Sequence, residues 1–289
     1  MFIKDHRYEF SVALMCELLR VSRSSFYAWV MRKKSKRNQA NQLLDVKIKS
    51  VFAQHHKRYG APRITRALKM QNELCSQTRV ARRMKAMKIQ AIAKHKFKVT
   101  TDSAHALPVF KNILNRDFAT TKINQKWCCG ITYIRTDEGW LYLAVVIDLY
   151  SRAVIGWSMN QRMNKALVCD ALLMALFMRK FPKDVIVHSD RGSQYCSIRY
   201  QNLLQNNRLI GSMSRKGNCW DNAIAESFFH TLKIELVHTL KIELVHTQKY
   251  ATREQAKQSI FQYIEAYYNQ YRLHSSIDYK APFEFEYAC

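Results

Sequence analysis

From residue 122 onward the chain alternates strand and helix patterns, and their order limits the possible folds more than any other feature. Residues 127–135, 140–147 and 154–159 read as three successive strands, rich in β-branched and aromatic residues and joined by short turns. A helix pattern covers residues 165–179. An apolar run follows, Asp184-Val185-Ile186-Val187-His188-Ser189-Asp190, which reads as a buried strand ending in a carboxylate. Next come a helix near residues 200–206 and a short strand at 209–212. A further helix opens at Asp221-Asn222-Ala223-Ile224-Ala225-Glu226-Ser227-Phe228-Phe229, with Asp221 or Asn222 as its cap. A meander followed by alternating helices and strands predicts a mixed sheet flanked by helices, an α/β core. A last helix over residues 253–269 carries Ala256, Ile260, Tyr263, Ile264 and Tyr267 and is expected to pack on that core.

The part in front of this core is different in charge. Residues 1–125 hold 27 Lys or Arg against 7 Asp or Glu, a net of +20, whereas residues 126–289 hold 20 against 15, a net of +5. A basic half joined to a nearly neutral half predicts nucleic-acid binding ahead of a catalytic core, with duplex DNA as partner and an affinity that falls with salt. Two helix-turn-helix patterns fill the basic half. In the first, residues 10–19 carry a stripe of Val12, Met15, Cys16 and Leu19, Arg20-Val21-Ser22 makes the turn, and Arg23 opens the second helix. The run Arg32-Lys33-Lys34 with Lys36-Arg37 reads as a basic linker. In the second, a helix at residues 43–56 precedes Gly60 and Pro62, a helix follows at 62–70, and Ser76-Gln77-Thr78 caps a third. That third helix turns Val80, Met84, Met87 and Ile89 inward and basic residues outward, so Arg79, Arg82 and Arg83, with Arg63 before them, are candidate DNA contacts. The expected division is 1–38, 39–100, a linker at 101–121, and the core at 122–289.

A strand-end Asp190 and a helical Glu226 can converge on divalent cations, and two-metal sites drive in-line attack on phosphodiesters. The text around them extends well beyond the pair. It includes Asn124-Gln125-Lys126-Trp127, Ile131-Thr132-Tyr133-Ile134, Leu141-Tyr142-Leu143 and Ile147-Asp148-Leu149-Tyr150-Ser151-Arg152. It continues with His188-Ser189-Asp190-Arg191-Gly192, Met213-Ser214-Arg215-Lys216-Gly217-Asn218, Glu226-Ser227-Phe228-Phe229, and Tyr268-Asn269 with Arg272 and His274. In these stretches the chain resembles insertion-sequence transposases of the OrfB type, whose core is the RNase H-like, retroviral-integrase-like DDE fold.

The resemblance runs from about residue 10 to the C-terminus. It implies transposition by a polynucleotidyl transferase in which three carboxylates hold two Mg²⁺ (or Mn²⁺) ions. It makes Asp190 and Glu226 catalytic metal ligands. It also implies action on element ends as a homo-oligomer in a bacterial cytoplasm, at the nucleoid when bound, and a possible fusion with an upstream-frame product. Arg215 and Lys216 become candidate backbone contacts near the site.

One departure bears on activity. The family pattern Trp-x-x-Asp-Ile-Thr-Tyr, with the first catalytic Asp, reads here Trp127-Cys128-Cys129-Gly130-Ile131-Thr132-Tyr133. Gly130 offers no ligand, so impaired chemistry is expected, with a catalytically dead DNA-binding relic as the alternative. Asp148 is expected to be structural. Asp137 and Glu138 belong to a solvent-facing hairpin turn.

A second departure is the octet His230-Thr231-Leu232-Lys233-Ile234-Glu235-Leu236-Val237, repeated at once over residues 238–245. As helix, the extra copy advances the chain by roughly 12 Å, which predicts a displaced C-terminal helix unless the octet is absorbed in a connection. The eight cysteines form no C-x-x-C pair, so a zinc knuckle or disulfide framework is not supported. No secretory leader pattern opens the chain, and no apolar run reaches the length of a membrane span.

Overall fold

The computed structural model describes residues 2–32, 35–91, 107–215, 219–243 and 250–288. The first helices are α1 (Phe2–Asp5), α2 (Val12–Leu18) and α3 (Arg23–Val30), with Ser11 and Ser22 capping α2 and α3 through their hydroxyls. They close on a small core of Ile3, Met15, Cys16 and Phe26. Helix α4 (Lys36–Gln54) starts earlier than its apolar stripe suggests, because Ser35 accepts from the Asn38 amide and caps it there. Lys36 and Arg37 therefore belong to the first turn of a helix and not to a linker. Lys33 and Lys34 lie outside the described residues. Helices α5 (Ala61–Met70) and α6 (Gln77–Ala86, capped by Ser76) pack on α4 around Ile48, Tyr59, Ile64, Leu68, Val80 and Met84.

The core is a five-stranded sheet in the order β3-β2-β1-β4-β5. Strands β1 (Lys126–Thr136), β2 (Gly139–Asp148) and β3 (Val154–Asn160) form the antiparallel meander, with Gly130 opposite Val145. Strands β4 (Ile186–Ser189) and β5 (Ile210–Met213) extend it in parallel on the β1 edge. Helices α7 (Lys165–Met178) and α8 (Ile198–Asn206) cover one face through Leu167, Leu172, Leu176, Tyr200 and Leu204. Close packing of α7 on β3 depends on Gly156, where a Cβ would stand 2.3 Å from the Ala171 carbonyl oxygen. The other face is covered by α9 (Ala223–Glu243) and α10 (Arg253–Phe261). A π-helical stretch, Gln262–Tyr268, then leads into α11 (Asn269–Tyr271), and α12 (Pro282–Tyr287) ends the chain. The wider π turn brings Tyr263 and Tyr268, five residues apart, to the same buried side.

Residues 110–118 lie on the core. Phe110 contacts Gly211, Leu114 is buried, and Ser212 Oγ accepts from the Ile113 and Leu114 amides.

The expected displacement of the C-terminal helix does not occur. Ala256, Ile260, Tyr263 and Ile264 are all buried, with Tyr267 packed partly against them. The first octet supplies Leu232, Glu235 and Leu236 to the interior, α9 runs on to Glu243, and Tyr250 rejoins the sheet at Thr136. Because the copies are identical, deleting either one gives the same chain. Removing residues 238–245 is expected to leave Tm within about 2 °C of the parent, since buried Leu232, Glu235 and Leu236 before the deletion and Tyr250, Ala256 and Ile260 after it are kept. A fall of 5 °C or more in a thermal melt would show that the second copy has packing of its own.

Candidate metal and nucleic-acid site

Asp190 stands immediately after β4, where Asp190 Oδ1 accepts from the Gly192 amide at 2.9 Å. The strand end is fixed by buried His188, whose ring bonds Ser212 Oγ at 2.9 Å and Ser214 Oγ at 3.1 Å. Burial holds that ring neutral, with its pKa lowered to about 4. Glu226 lies in the first turn of α9. Its carboxyl is raised above the ordinary value, mainly by burial and secondly by the charge of Asp190, so the two carboxylates are within electrostatic reach of each other.

Asp221 and Asn222, which the sequence offers as caps of α9, end a 3-10 turn just ahead of it, and both side chains are buried. Asn222 accepts from Cys128 Sγ at 2.8 Å and donates to the Cys129 carbonyl at 3.1 Å, tying the entry of α9 to β1 beside Gly130. Asp221 is buried and accepts from the Arg215 amide and guanidinium, Arg116 Nε at 2.8 Å and Asn112 Nδ2 at 2.9 Å. Those cations hold its carboxyl well below the usual range, Arg215 most of all. Arg215 is thereby engaged within the protein. Lys216 lies outside the described residues.

Gly130 completes the picture. A Cβ built there would stand 2.8 Å from the Phe229 ring edge and 3.0 Å from Ala225 Cβ. Helix α9 thus sits against β1 where a first carboxylate would project. Among the described residues, no group of three His, Cys, Asp or Glu side chains could hold a metal ion. The two-ion set implied by the resemblance does not fit the residues present. Asp148 does not replace the missing ligand: it is buried, accepts from the Asn124 and Tyr150 amides at 2.9 Å, and faces Arg179 at 3.8 Å. Asp137 and Glu138 are exposed at the hairpin turn.

Because burial and Asp190 raise the Glu226 carboxyl, the folded state holds its proton more tightly than the unfolded chain. That group therefore favours folding at acid pH. Its contribution turns unfavourable as pH rises through the unfolded value, about 4.3, and levels off above the folded one. Glu226→Gln is expected to raise Tm at pH 7, with the gain vanishing below pH ~4. A variant melting lower than the parent at pH 7 would contradict this.

The basic residues of the helical region divide sharply. Arg79 donates to Asn41 Oδ1 from Nε (3.3 Å) and Nη2 (3.1 Å), and Arg83 makes a two-pronged pair with Asp45 at 2.8 and 2.5 Å. Both clamp α6 to α4, a role that the outward-facing pattern of α6 conceals. Arg63 is half-buried with its guanidinium over the Tyr59 ring at 5.7 Å, and burial lowers its pKa. Arg82 is exposed, as are Arg66 and Lys85.

The helical region is docked on the core. Tyr59 donates to the Tyr271 carbonyl and accepts from the Leu273 amide at 2.9 Å, and Arg58 lies over Tyr267 at 4.3 Å. Sequence reasoning missed Arg152. It sits in the motif beginning at Ile147, with a left-handed backbone (φ 64°) that only the coordinates expose. Six cysteines, at 16, 75, 128, 129, 169 and 196, are free and buried. No described helix is long and apolar enough to cross a membrane.

Comparison with known proteins gives the same architecture. Family models described as an integrase core domain match residues 120–219 and 226–288, and one described as an HTH-like domain matches residues 38–97. Transposase InsF for insertion sequence IS3A of Escherichia coli K12 is 48% identical over 287 residues, covering 99% of this chain and 97% of its own. The insertion element IS600 uncharacterized 31 kDa protein of Shigella sonnei is 41% identical over 271 residues, covering 94% and 97%. Among solved structures, the HTLV-2 integrase catalytic core domain in complex with magnesium aligns with 58% of this chain and 99% of its own, at 15% identity and a TM-score of 0.44. The chain belongs to the IS3-family transposases, with an HTH-like domain ahead of an integrase core.

Proposed function

We propose that this protein binds duplex DNA at the ends of an insertion element and is severely impaired in metal-dependent cleavage and strand transfer. The observation that carries the second part is Gly130, with the Phe229 ring edge 2.8 Å from where its Cβ would be. Asp190 and Glu226 supply two carboxylates for a mechanism that uses three, and control of in-line geometry is weakened with the metal set. Mn²⁺, which accepts imperfect ligand sets better than Mg²⁺, supports traces of activity. The DNA-binding part is supported by the net +20 of residues 1–125 and by exposed Arg66, Arg82 and Lys85 on α5 and α6. Assembly on DNA as a homo-oligomer, in the bacterial cytoplasm and alone or fused to an upstream-frame product, follows the family reading.

The test is a cleavage and strand-transfer assay on element-end DNA, run with Mg²⁺ and with Mn²⁺. Robust Mg²⁺-dependent joining by the unmodified chain, abolished by Asp190→Ala, would sink the impairment. For binding, duplex affinity of the full chain is expected to fall steeply between 50 and 200 mM salt, by about 10³-fold for roughly six phosphate contacts. Arg82→Ala should reduce the log–log slope by about 0.9 if Arg82 meets one phosphate. A salt-independent affinity would overturn the electrostatic reading.

A further inference from the structure

We propose that the cavity between α9 and the chain after α11 is a binding site for a phosphate group, organised by Arg152. The cavity, of about 200 Å³, is lined by Arg152, Arg272, His274, Ser227, Thr231 and Ser276, with Ile147 and Phe228 as apolar wall. Among the described residues no carboxylate lines it. Arg152 Nε and Nη1 are buried and have no hydrogen-bond partner among the described residues. Leaving such donors unmet is costly, and so is the left-handed backbone that presents them. That backbone is held on both sides, by the Arg152 amide donating to the Asp148 carbonyl and by the Tyr268 hydroxyl donating to the Arg152 carbonyl. The fold thus fixes the backbone from which these donors project.

The surrounding groups agree in sign. Arg272 is neutralised by Glu235, whose carboxylate also accepts from Tyr263, so Glu235 is committed away from Arg152. Asp148 is engaged by backbone amides and Arg179. Burial, then Arg272 and Arg152, lower the His274 pKa to about 3, so the ring is neutral. Its Nδ1 accepts from the Ser276 amide at 3.3 Å, which leaves the ring proton on Nε2 as a further donor. At about 30 Å³ per water-sized group, the volume holds a tetrahedral anion and a few waters. On α9 the lining residues Ile224, Ser227, Phe228 and Thr231 form one stripe. At about 100° per residue, Glu226 points to another side, so this pocket is separate from the Asp190–Glu226 pair.

The phosphate could be supplied by the backbone of bound DNA or by free inorganic phosphate, and two arms separate the sources. In the first, the full chain is melted with inorganic phosphate at constant ionic strength, with chloride as control. Phosphate at tenfold its Kd should raise Tm by about 3 °C, and Arg152→Gln should abolish the rise. The same variant should melt above the parent in phosphate-free buffer, because it removes an unpaired buried charge, a gain that a merely structural arginine would not give. In the second arm, Arg152→Gln should weaken duplex affinity and lower the salt slope by about 0.9.

A response in the first arm alone assigns the site to free phosphate, and a response in the second assigns it to DNA. Folded variants with no response in either arm overturn the proposal. Where Arg152→Gln does not fold, Thr231→Val keeps the shape of the wall and removes a donor. Phosphate affinity weakened threefold or more supports the site, and unchanged affinity overturns it. The DNA arm rests on the DNA-binding reading; failure of the parent chain to bind duplex would sink that reading and leave the phosphate arm to decide this one.

Discussion

Gly130→Asp is expected to cost stability without metal and to recover it with Mg²⁺. The added Cβ must move a Phe229 ring edge now 2.8 Å away and crowd Ala225, an overpacking worth about 1–3 kcal/mol. The new carboxylate also joins Glu226, whose carboxyl is already raised by burial and then by the charge of Asp190. Together these effects should lower Tm by roughly 5–10 °C in a chelating buffer. A divalent cation reverses the sign of the second effect, since three anions close together are then an attraction. Mg²⁺ at tenfold its Kd should return about 1.4 kcal/mol to the variant, while the parent shifts by less than 1 °C. Element-end cleavage should rise at least 100-fold over the unmodified chain. Equal Mg²⁺ shifts in parent and variant would mean that Gly130 does not mark the missing ligand.

Glu235→Ala is expected to be the most damaging single change outside the site. Glu235 and Arg272 are both buried, with 5% and 4% of their side chains exposed, and Arg272 Nε and Nη2 reach the carboxylate at 3.0–3.1 Å. Tyr263 donates to the same carboxylate at 2.8 Å. Truncating Glu235 strands a guanidinium and a phenol in the interior, for about 3–5 kcal/mol or a fall in Tm of roughly 10 °C. Replacing both partners, as Glu235→Leu with Arg272→Met, should recover most of that loss, because no orphaned charge remains. A Glu235→Ala variant that melts within about 3 °C of the parent would overturn this.

The legible parts of this chain are those written as periodicity. The meander, the strand ending at Asp190, the helix carrying Glu226 and the three helices around Ile48 and Tyr59 all follow from apolar spacing and Ser caps. The early start of α4 was hidden because Ser35 precedes polar residues that carry no stripe. The roles of Arg79 and Arg83 were hidden for a different reason. A basic residue on the outer face of one helix looks solvated until a neighbouring helix offers Asn41 or Asp45, and that pairing is a long-range fact. Arg152 was unreadable in the same way, since neither its unmet donors nor its backbone conformation leaves a trace in residue spacing. The octet misled because displacement was reckoned from rise along a helix, whereas Leu232, Glu235 and Leu236 before it and Tyr250, Ala256 and Ile260 after it all keep buried places.

The docking of Tyr59 and Arg58 onto the C-terminal helix fixes a distance as well as a contact. With the hydroxyl of Tyr59 held by two backbone groups around Leu273, the helical region and the integrase core cannot reorient independently without breaking these hydrogen bonds. Any duplex seated on α5 and α6 therefore meets the core at a set offset along its axis, so the protein measures spacing as a stiff caliper would. Inserting or removing half a helical turn, about five base pairs, between the two contacted stretches should turn the second onto the wrong side of the duplex.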